Sequence, residues 1–343
     1  MLSFFKNLWK LLKDLYKLLV ADTLFTPQPF LFPYRSELQV MEHLVSSWCN
    51  DRSLPESYIL PPEKRPGKLT VPLANNIPVI DLGGHDQTDL IQQILEACQE
   101  FGFFQVINHG VPSNLMDEAM SVFKEFHALS GKDKAIETSK DPNKSCFIYT
   151  SRANYATEKE VVGPYTAEVR KLGFRILEFI SQGLGISLDG LVGNQTLLVN
   201  HYPPCPDPSL TLGLGKHMDP VVINILLQSD VYGLQVFKDE EWIVVEPIPN
   251  AFVVNIGYPL QIISNGKLKG AEHRVVTNSN VARTTASYFL SPSNETLIEP
   301  AKSLVDASHL ALYKSLPYKD FLIKYVAAST DSKALEEALS TTV

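Results

Sequence analysis

The stretch Leu212-Gly213-Leu214-Gly215-Lys216-His217-Met218-Asp219-Pro220 decides how this chain reads, together with His273 well downstream. Two imidazoles and one carboxylate can occupy one face of a six-coordinate ion and leave the opposite three positions open, the arrangement of non-haem Fe(II) oxygen chemistry. On a strand, side chains two apart point to the same side, so His217 and Asp219 can aim at one metal. Taken alone, His-x-Asp is a common surface pair and a distant histidine a common core residue. The surrounding sequence has to choose between these readings.

Beyond Gln195 the chain breaks into short runs rich in β-branched and aromatic residues, at 196–202, 221–228, 234–237, 241–245, 251–256, 261–264, 273–277 and 283–289. Such a succession of short strands predicts a sandwich or barrel rather than a parallel sheet. Upstream, 77–82 predicts a strand and 88–101 an amphipathic helix, capped by Thr88 or Asp86 and ended by Gly102. A second strand over 103–110 and helices over 113–129 and 161–185 follow. The expected fold class is therefore mixed α and β, with a helical N-terminal region ahead of a β core. His109 stands at a strand end before Gly110, where a hydrogen-bonded structural histidine is expected rather than a ligand. Trp242, in an alternating strand, is expected in the core, and Cys205, between two prolines, in a buried turn.

At 343 residues and 45% hydrophobic, the chain is long enough for one large domain or two with a sizeable core. Its net charge of -8, with no clustered basic face in the body of the chain, argues against a nucleic-acid partner. Cys49, Cys98, Cys146 and Cys205 are widely spaced and form no Cys-x-x-Cys, which fits reduced thiols and a cytoplasmic location. Residues 1–20 set Leu2, Phe5, Leu8, Trp9 and Leu12 at helical spacing against Lys6, Lys10, Lys13 and Lys17. The lysines interrupt every apolar run, so this basic amphipathic helix neither spans a bilayer nor forms a signal peptide's apolar region. One reading is contact with an anionic membrane surface. The Pro-rich residues 26–34 then form a linker. The oligomeric state stays open.

Further motifs accompany the opening one: Asn200-His201-Tyr202-Pro203-Pro204-Cys205-Pro206, Gly233-Leu234-Gln235-Val236, Phe252-Val253-Val254-Asn255-Ile256-Gly257, Ser264-Asn265-Gly266, His273-Arg274-Val275 and Arg283-Thr284-Thr285. In these the chain resembles the plant 2-oxoglutarate and Fe(II)-dependent dioxygenases, particularly their hyoscyamine 6-beta-hydroxylase-like members. The resemblance implies a double-stranded β-helix, or jelly-roll, core. It also implies an N-terminal extension at 1–36, a shortened N-terminal dioxygenase domain at 75–190, an Fe(II)/2-oxoglutarate dioxygenase domain at 193–292 and a C-terminal segment at 293–343.

The implied catalytic metal ligands are His217, Asp219 and His273, binding Fe(II). The implied 2-oxoglutarate residues are Arg283, Thr285, Tyr202 and Asn200. A guanidinium presents a permanently charged, bidentate fork to a carboxylate, and Thr285, two along the strand, points the same way. The family usually carries Arg-x-Ser; Thr keeps the hydroxyl donor but adds a methyl and stiffens the side chain. The implied reaction couples decarboxylation of 2-oxoglutarate to succinate and CO2 with hydroxylation, desaturation or epoxidation of a small organic metabolite in specialised metabolism, with ascorbate as a possible reductant. Two alternatives stand beside it: an oxoacid-independent oxidase of the same fold, and a catalytically impaired metal-binding remnant.

The sequence also departs from the family. Members usually begin near Glu37, which offers a second reading of residues 1–36 as a dispensable extension. Gly257-Tyr258-Pro259 replaces the usual Gly-Asp, and Pro259 is expected to hold Tyr258 extended. Residues 141–163 replace a longer stretch that includes a strand, so a bare sheet edge, lower stability and uncoupled 2-oxoglutarate consumption are expected.

Overall fold

The structure is a computed structural model and describes residues 53–67, 77–84, 86–129, 155–328 and 331–341. The amphipathic helix expected at 1–20, the linker at 26–34 and most of the shortened segment lie outside the described residues.

Two sheets carry the fold. The larger has six strands in the order β1-β2-β8-β5-β10-β3: β1 (Val79–Asp81), β2 (Phe103–Ile107), β3 (Asn194–Tyr202), β5 (Ile223–Gln228), β8 (Phe252–Ile256) and β10 (Arg283–Ser291). The smaller has four, in the order β4-β9-β6-β7: β4 (Leu214–His217), β6 (Leu234–Lys238), β7 (Glu241–Val244) and β9 (His273–Val275). A short pair, β11 (Leu297–Ile298) and β12 (Leu316–Pro317), lies apart from both. Apart from β1 with β2, every named pairing is antiparallel.

Period-two alternation assigns the faces of the large sheet. Ile223, Ile225 and Leu227 of β5, Phe252, Val254 and Ile256 of β8, and Ala286, Tyr288 and Leu290 of β10 all join one apolar cluster. Helices cover this face: α1 (Gln87–Glu100), α2 (Ser113–Ala128) and α3 (Tyr155–Leu184). Close packing of α3 needs glycine twice. A Cβ on Gly173 would sit 2.5 Å from Leu290 Cδ1, and one on Gly183 2.5 Å from Leu95 Cδ1. The other face turns inward toward the small sheet. There a second cluster gathers Phe103, Tyr202, Leu226 and Val253 with Leu234, Val236 and Val275 of the small sheet. The inward positions of β10 are Arg283, Thr285 and Ser287, all buried.

Local signals set the element ends. Asp86 caps α1 by accepting from Thr88 and Asp89 N–H at 2.9 and 3.2 Å. Gly102, at φ +67, turns the chain into β2, and a Cβ there would meet Lys269 O at 2.4 Å. One expected strand is a helix: residues 261–264 fall at the end of α4 (Tyr258–Ile263). Ile262 and Ile263 supplied the β-like composition, but Pro259 in the first turn suits a helix start. Both isoleucines are buried within α4 in the main core. The remaining helices are α5 (Tyr318–Ala328) and α6 (Ser332–Leu339). Among the described residues no helix is long and apolar enough to cross a membrane.

Candidate metal centre

His217 and His273 face each other as a cross-strand pair of β4 and β9. Their ring centroids lie 4.1 Å apart. Asp219 Oδ1 stands 3.4 Å from His217 Nε2 and 3.6 Å from His273 Nε2. One ligand atom from each residue falls within a mutual 4.8 Å, the one such group among the described residues. The strand argument for His217 and Asp219 needs correction here. β4 ends at His217, so Asp219 projects from the turn beyond it.

Main-chain acceptors fix the imidazole tautomers. His217 Nδ1 lies 2.8 Å from Gly215 O, and His273 Nδ1 3.1 Å from Ala271 O. With these Nδ1–H groups donating to carbonyls, both Nε2 lone pairs are left for a metal. Phe103 packs edge-on against the His273 ring, with centroids 5.3 Å apart.

Asp219 is 4% exposed. Its Oδ2 accepts from Asn224 Nδ2 at 3.2 Å and from Asn255 Nδ2, leaving Oδ1 toward the imidazoles. Asn224 and Asn255 are themselves a cross-strand pair of β5 and β8, so the large sheet holds a carboxylate that follows the small one. Burial opposes ionisation of Asp219, but attraction to His273 and His217 when these are protonated, with the hydrogen bond from Asn224, outweighs it and holds the carboxyl at about 2. Burial, then repulsion from His217, pulls His273 down to about 4. At neutral pH the site therefore presents an ionised carboxylate beside an uncharged His273. A mixed set of two imidazole nitrogens and one carboxylate oxygen suits Fe(II) and leaves coordination positions for other ligands.

Arg283 is 2% exposed and opens β10 directly opposite Tyr202 of β3. Its Nε donates to Val231 O at 3.1 Å and its Nη2 to Gln228 Oε1 at 2.7 Å, while the guanidinium lies 5.6 Å from the Tyr202 ring centre. Burial lowers its pKa to about 10, so it stays charged at neutral pH. No carboxylate pairs with it among the described residues. Thr285 lies two along on the same inward face, opposite Asn200 on one side and Gln228 on the other. The four expected anion-site residues thus share one face of two adjacent strands, β3 and β10. Two glycines make room for them. A Cβ on Gly213 would lie 2.7 Å from Tyr202 Cδ1, and one on Gly233 2.8 Å from Arg283 Cδ.

Other expectations meet mixed outcomes. His109 is a satisfied structural histidine: Val111 N–H donates to its Nδ1 at 3.2 Å, and its Nε2–H reaches Asn250 O at 3.0 Å. Cys205 is buried. Trp242 is half-buried rather than core, because it packs under the Arg274 guanidinium, 4.0 Å from the ring centre. Tyr258 is helical rather than extended. Its N–H bonds Asp219 O at 2.9 Å and its ring is fully buried, contacts that override the preference imposed by Pro259. Asn224, Asn255 and Gln228 were not singled out from the sequence. A lone amide within Val222-Ile223-Asn224-Ile225-Leu226, or within Val253-Val254-Asn255-Ile256, is the signal that points to the two asparagines.

A jelly-roll core carrying a two-histidine, one-carboxylate site defines a class of non-haem iron oxygenase. Two family profiles match: the 2OG-Fe(II) oxygenase superfamily over residues 193–292, and the non-haem dioxygenase in morphine synthesis N-terminal region over 77–173. The chain is 40% identical over 337 residues to hyoscyamine 6-dioxygenase of Hyoscyamus niger, covering 85% of this chain and 96% of that relative. It is 35% identical over 341 residues to flavanone 3-dioxygenase 2 of Oryza sativa subsp. japonica, covering 89% and 99%. A crystal structure of JOX2 in complex with 2OG, Fe and JA superposes with a TM-score of 0.70 at 33% identity, covering 86% of this chain and 94% of that one. The chain belongs to the 2OG-Fe(II) oxygenase superfamily and is an Fe(II)- and 2-oxoglutarate-dependent dioxygenase.

Proposed function

We propose that His217, Asp219 and His273 hold the Fe(II), that Arg283, Thr285, Tyr202 and Asn200 receive 2-oxoglutarate, and that the enzyme oxidises a small organic metabolite. The iron supplies the oxygen chemistry when bound. The chain's own residues orient and exclude. Asn224 and Asn255 keep Oδ1 of Asp219 turned toward the imidazoles, and Phe103 fills the space beside His273.

The observation that carries this reading is the state of Arg283. A fully buried cation without an anion is costly, and this one is held by two uncharged acceptors beside Tyr202 and Thr285. The distal carboxylate of 2-oxoglutarate supplies the missing charge. Names of the relatives support an alkaloid-like or other small substrate of plant specialised metabolism. A cytoplasmic location and the lack of a nucleic-acid partner follow from the thiols and the charge.

A chain shorter than hyoscyamine 6-dioxygenase somewhere within the matched region is supported by the comparison, and the sequence places the shortening at 141–163. The alignment runs over 337 positions yet takes up 85% of a 343-residue chain, so the relative carries positions that this chain does not fill. Anaerobic titration of the metal-free protein with Fe(II) and then 2-oxoglutarate tests the reading. A metal-to-ligand charge-transfer band should appear with the oxoacid in wild type and be absent in Asp219→Ala. A wild-type protein that develops no such band contradicts the proposal.

A further inference from the structure

The turn that carries Asp219 is gripped at three successive carbonyls, and two of the grips come from beyond the matched oxygenase region. Tyr325 Oη donates to Met218 O at 2.8 Å, and Tyr318 Oη to Pro220 O at 2.9 Å. Between them, Tyr258 N–H donates to Asp219 O at 2.9 Å. Tyr318 and Tyr325 lie in α5, downstream of residue 292, where the oxygenase profile ends.

Their spacing explains the reach. Positions 318, 321 and 325 recur at three and four residues, so they share one face of a helix. Phe321, fully buried, stacks on Tyr318 at 5.8 Å and on Tyr258 at 5.9 Å between ring centres. The rings pack α5 against α4 and leave the two hydroxyls on the ligand turn. A further tie holds α4 to the chain end, where Tyr258 Oη donates to the Glu336 carboxylate of α6.

We propose that Tyr318 and Tyr325 are positioning residues for the iron site, acting through the main chain of Met218-Asp219-Pro220. The inference rests on the metal assignment given above. β4 ends at His217, so no ladder bond restrains the next residues, whereas a ligand must be held to a fraction of an ångström for its metal. Asn224 and Asn255 orient the carboxylate; the tyrosine hydroxyls fix the backbone that bears it. The C-terminal segment is then part of the metal site.

The test uses the full chain, stripped of metal and titrated anaerobically with Co(II), whose visible bands report the ligand field. Wild type and Asp219→Ala set the two ends of the scale. The Tyr318→Phe/Tyr325→Phe double variant keeps the rings and loses the hydroxyls. It is expected to bind Co(II) about tenfold more weakly, the lower end for loss of groups behind a ligand. Its visible bands should shift, and Co(II) should raise its melting temperature less than it does for wild type.

Each single variant should move the same way by less, and these carry the test if the double variant does not fold. Wild-type affinity and an unchanged spectrum in the variants would overturn the proposal and leave the tyrosines as packing residues. A wild type that binds Co(II) no better than Asp219→Ala overturns the underlying metal assignment instead, a result seen before any tyrosine is changed.

Discussion

Around Asp219, a buried carboxylate is held by two amides on one oxygen and turns the other toward the Nε2 atoms of two imidazoles. Around Arg283, a charge of opposite sign is buried as deeply but meets a carbonyl, an amide oxygen and an aromatic face. The first site is aligned in advance, with one carboxylate charge and two Nε2 lone pairs directed at a point that a cation would fill. The second is complete once an anion has entered. The difference fits the proposed roles: a resident cofactor, whose ligands must be pre-aligned, and a consumed co-substrate, whose anion would meet a cation that the fold leaves uncompensated. The two sites should therefore fail differently when cut.

The largest effect is expected from His273→Ala, which removes one of the three proposed ligands. Iron-dependent turnover should vanish and bound iron should fall close to zero by metal analysis; retention of wild-type iron would break the metal half of the comparison. Arg283→Ala comes next. Losing a buried charged hydrogen-bond partner costs about 2–5 kcal/mol, so the apparent constant for 2-oxoglutarate should rise from tens to thousands of fold. Iron content and the constant for the organic substrate should change far less. Equal effects on both substrates would merge the two sites into one.

Finer cuts sharpen the contrast. Asn255→Ala leaves Asp219 Oδ2 with Asn224 as its amide donor and should weaken metal binding about 10- to 100-fold. Calorimetric titration with Fe(II) or Co(II) measures this, with 2-oxoglutarate affinity as the control. Gly233→Ala should act on the other site, since its Cβ would lie 2.8 Å from Arg283 Cδ and 3.1 Å from Val276 O. Overpacking of this kind costs about 1–3 kcal/mol. The expected result is weaker 2-oxoglutarate binding than wild type, yet stronger than Arg283→Ala, with metal affinity kept.

The smallest expected effect lies outside both sites. Burial holds His109 below the usual histidine range, and its Nδ1 accepts from Val111 N–H, so protonation would turn an acceptor toward a donor. A histidine pKa depressed on folding means that the unfolded chain takes up the proton first. Its contribution to stability is full above about pH 6.5 and is lost as pH falls through the folded value. Urea unfolding of wild type and His109→Gln between pH 7.5 and 5.5 checks the sign: the gap between them should narrow toward acid.

The fold class was legible because alternation and turn chemistry are local. Short β-branched runs separated by turns read correctly in most places, as did the Asp86 cap and the Gly102 turn. The misreadings came where tertiary contacts outvoted local preference. Ile262 and Ile263 have β-like composition but are packed as a helix in the main core. Pro259 should have kept Tyr258 extended, yet a bond to Asp219 O and a fully buried ring hold it in the first turn of α4. Trp242 looked like core and instead lies beneath Arg274.

By itself, the sequence determined which side chains could carry the chemistry: two histidines and an aspartate for a metal, and an Arg-x-Thr for a carboxylate. Residue type sets donor identity and charge, and neither depends on the fold. Only the tertiary structure decided what keeps those groups in place. The amides of Asn224 and Asn255, the Gly215 and Ala271 carbonyls behind the imidazoles, and the tyrosine hydroxyls behind Asp219 come from separate strands and helices. Nothing in linear spacing brings them to one point. Register between antiparallel strands does, because residues directly opposite share a face, and so a pair such as Asn224 with Asn255 or Arg283 with Tyr202 exists only once the sheet has closed.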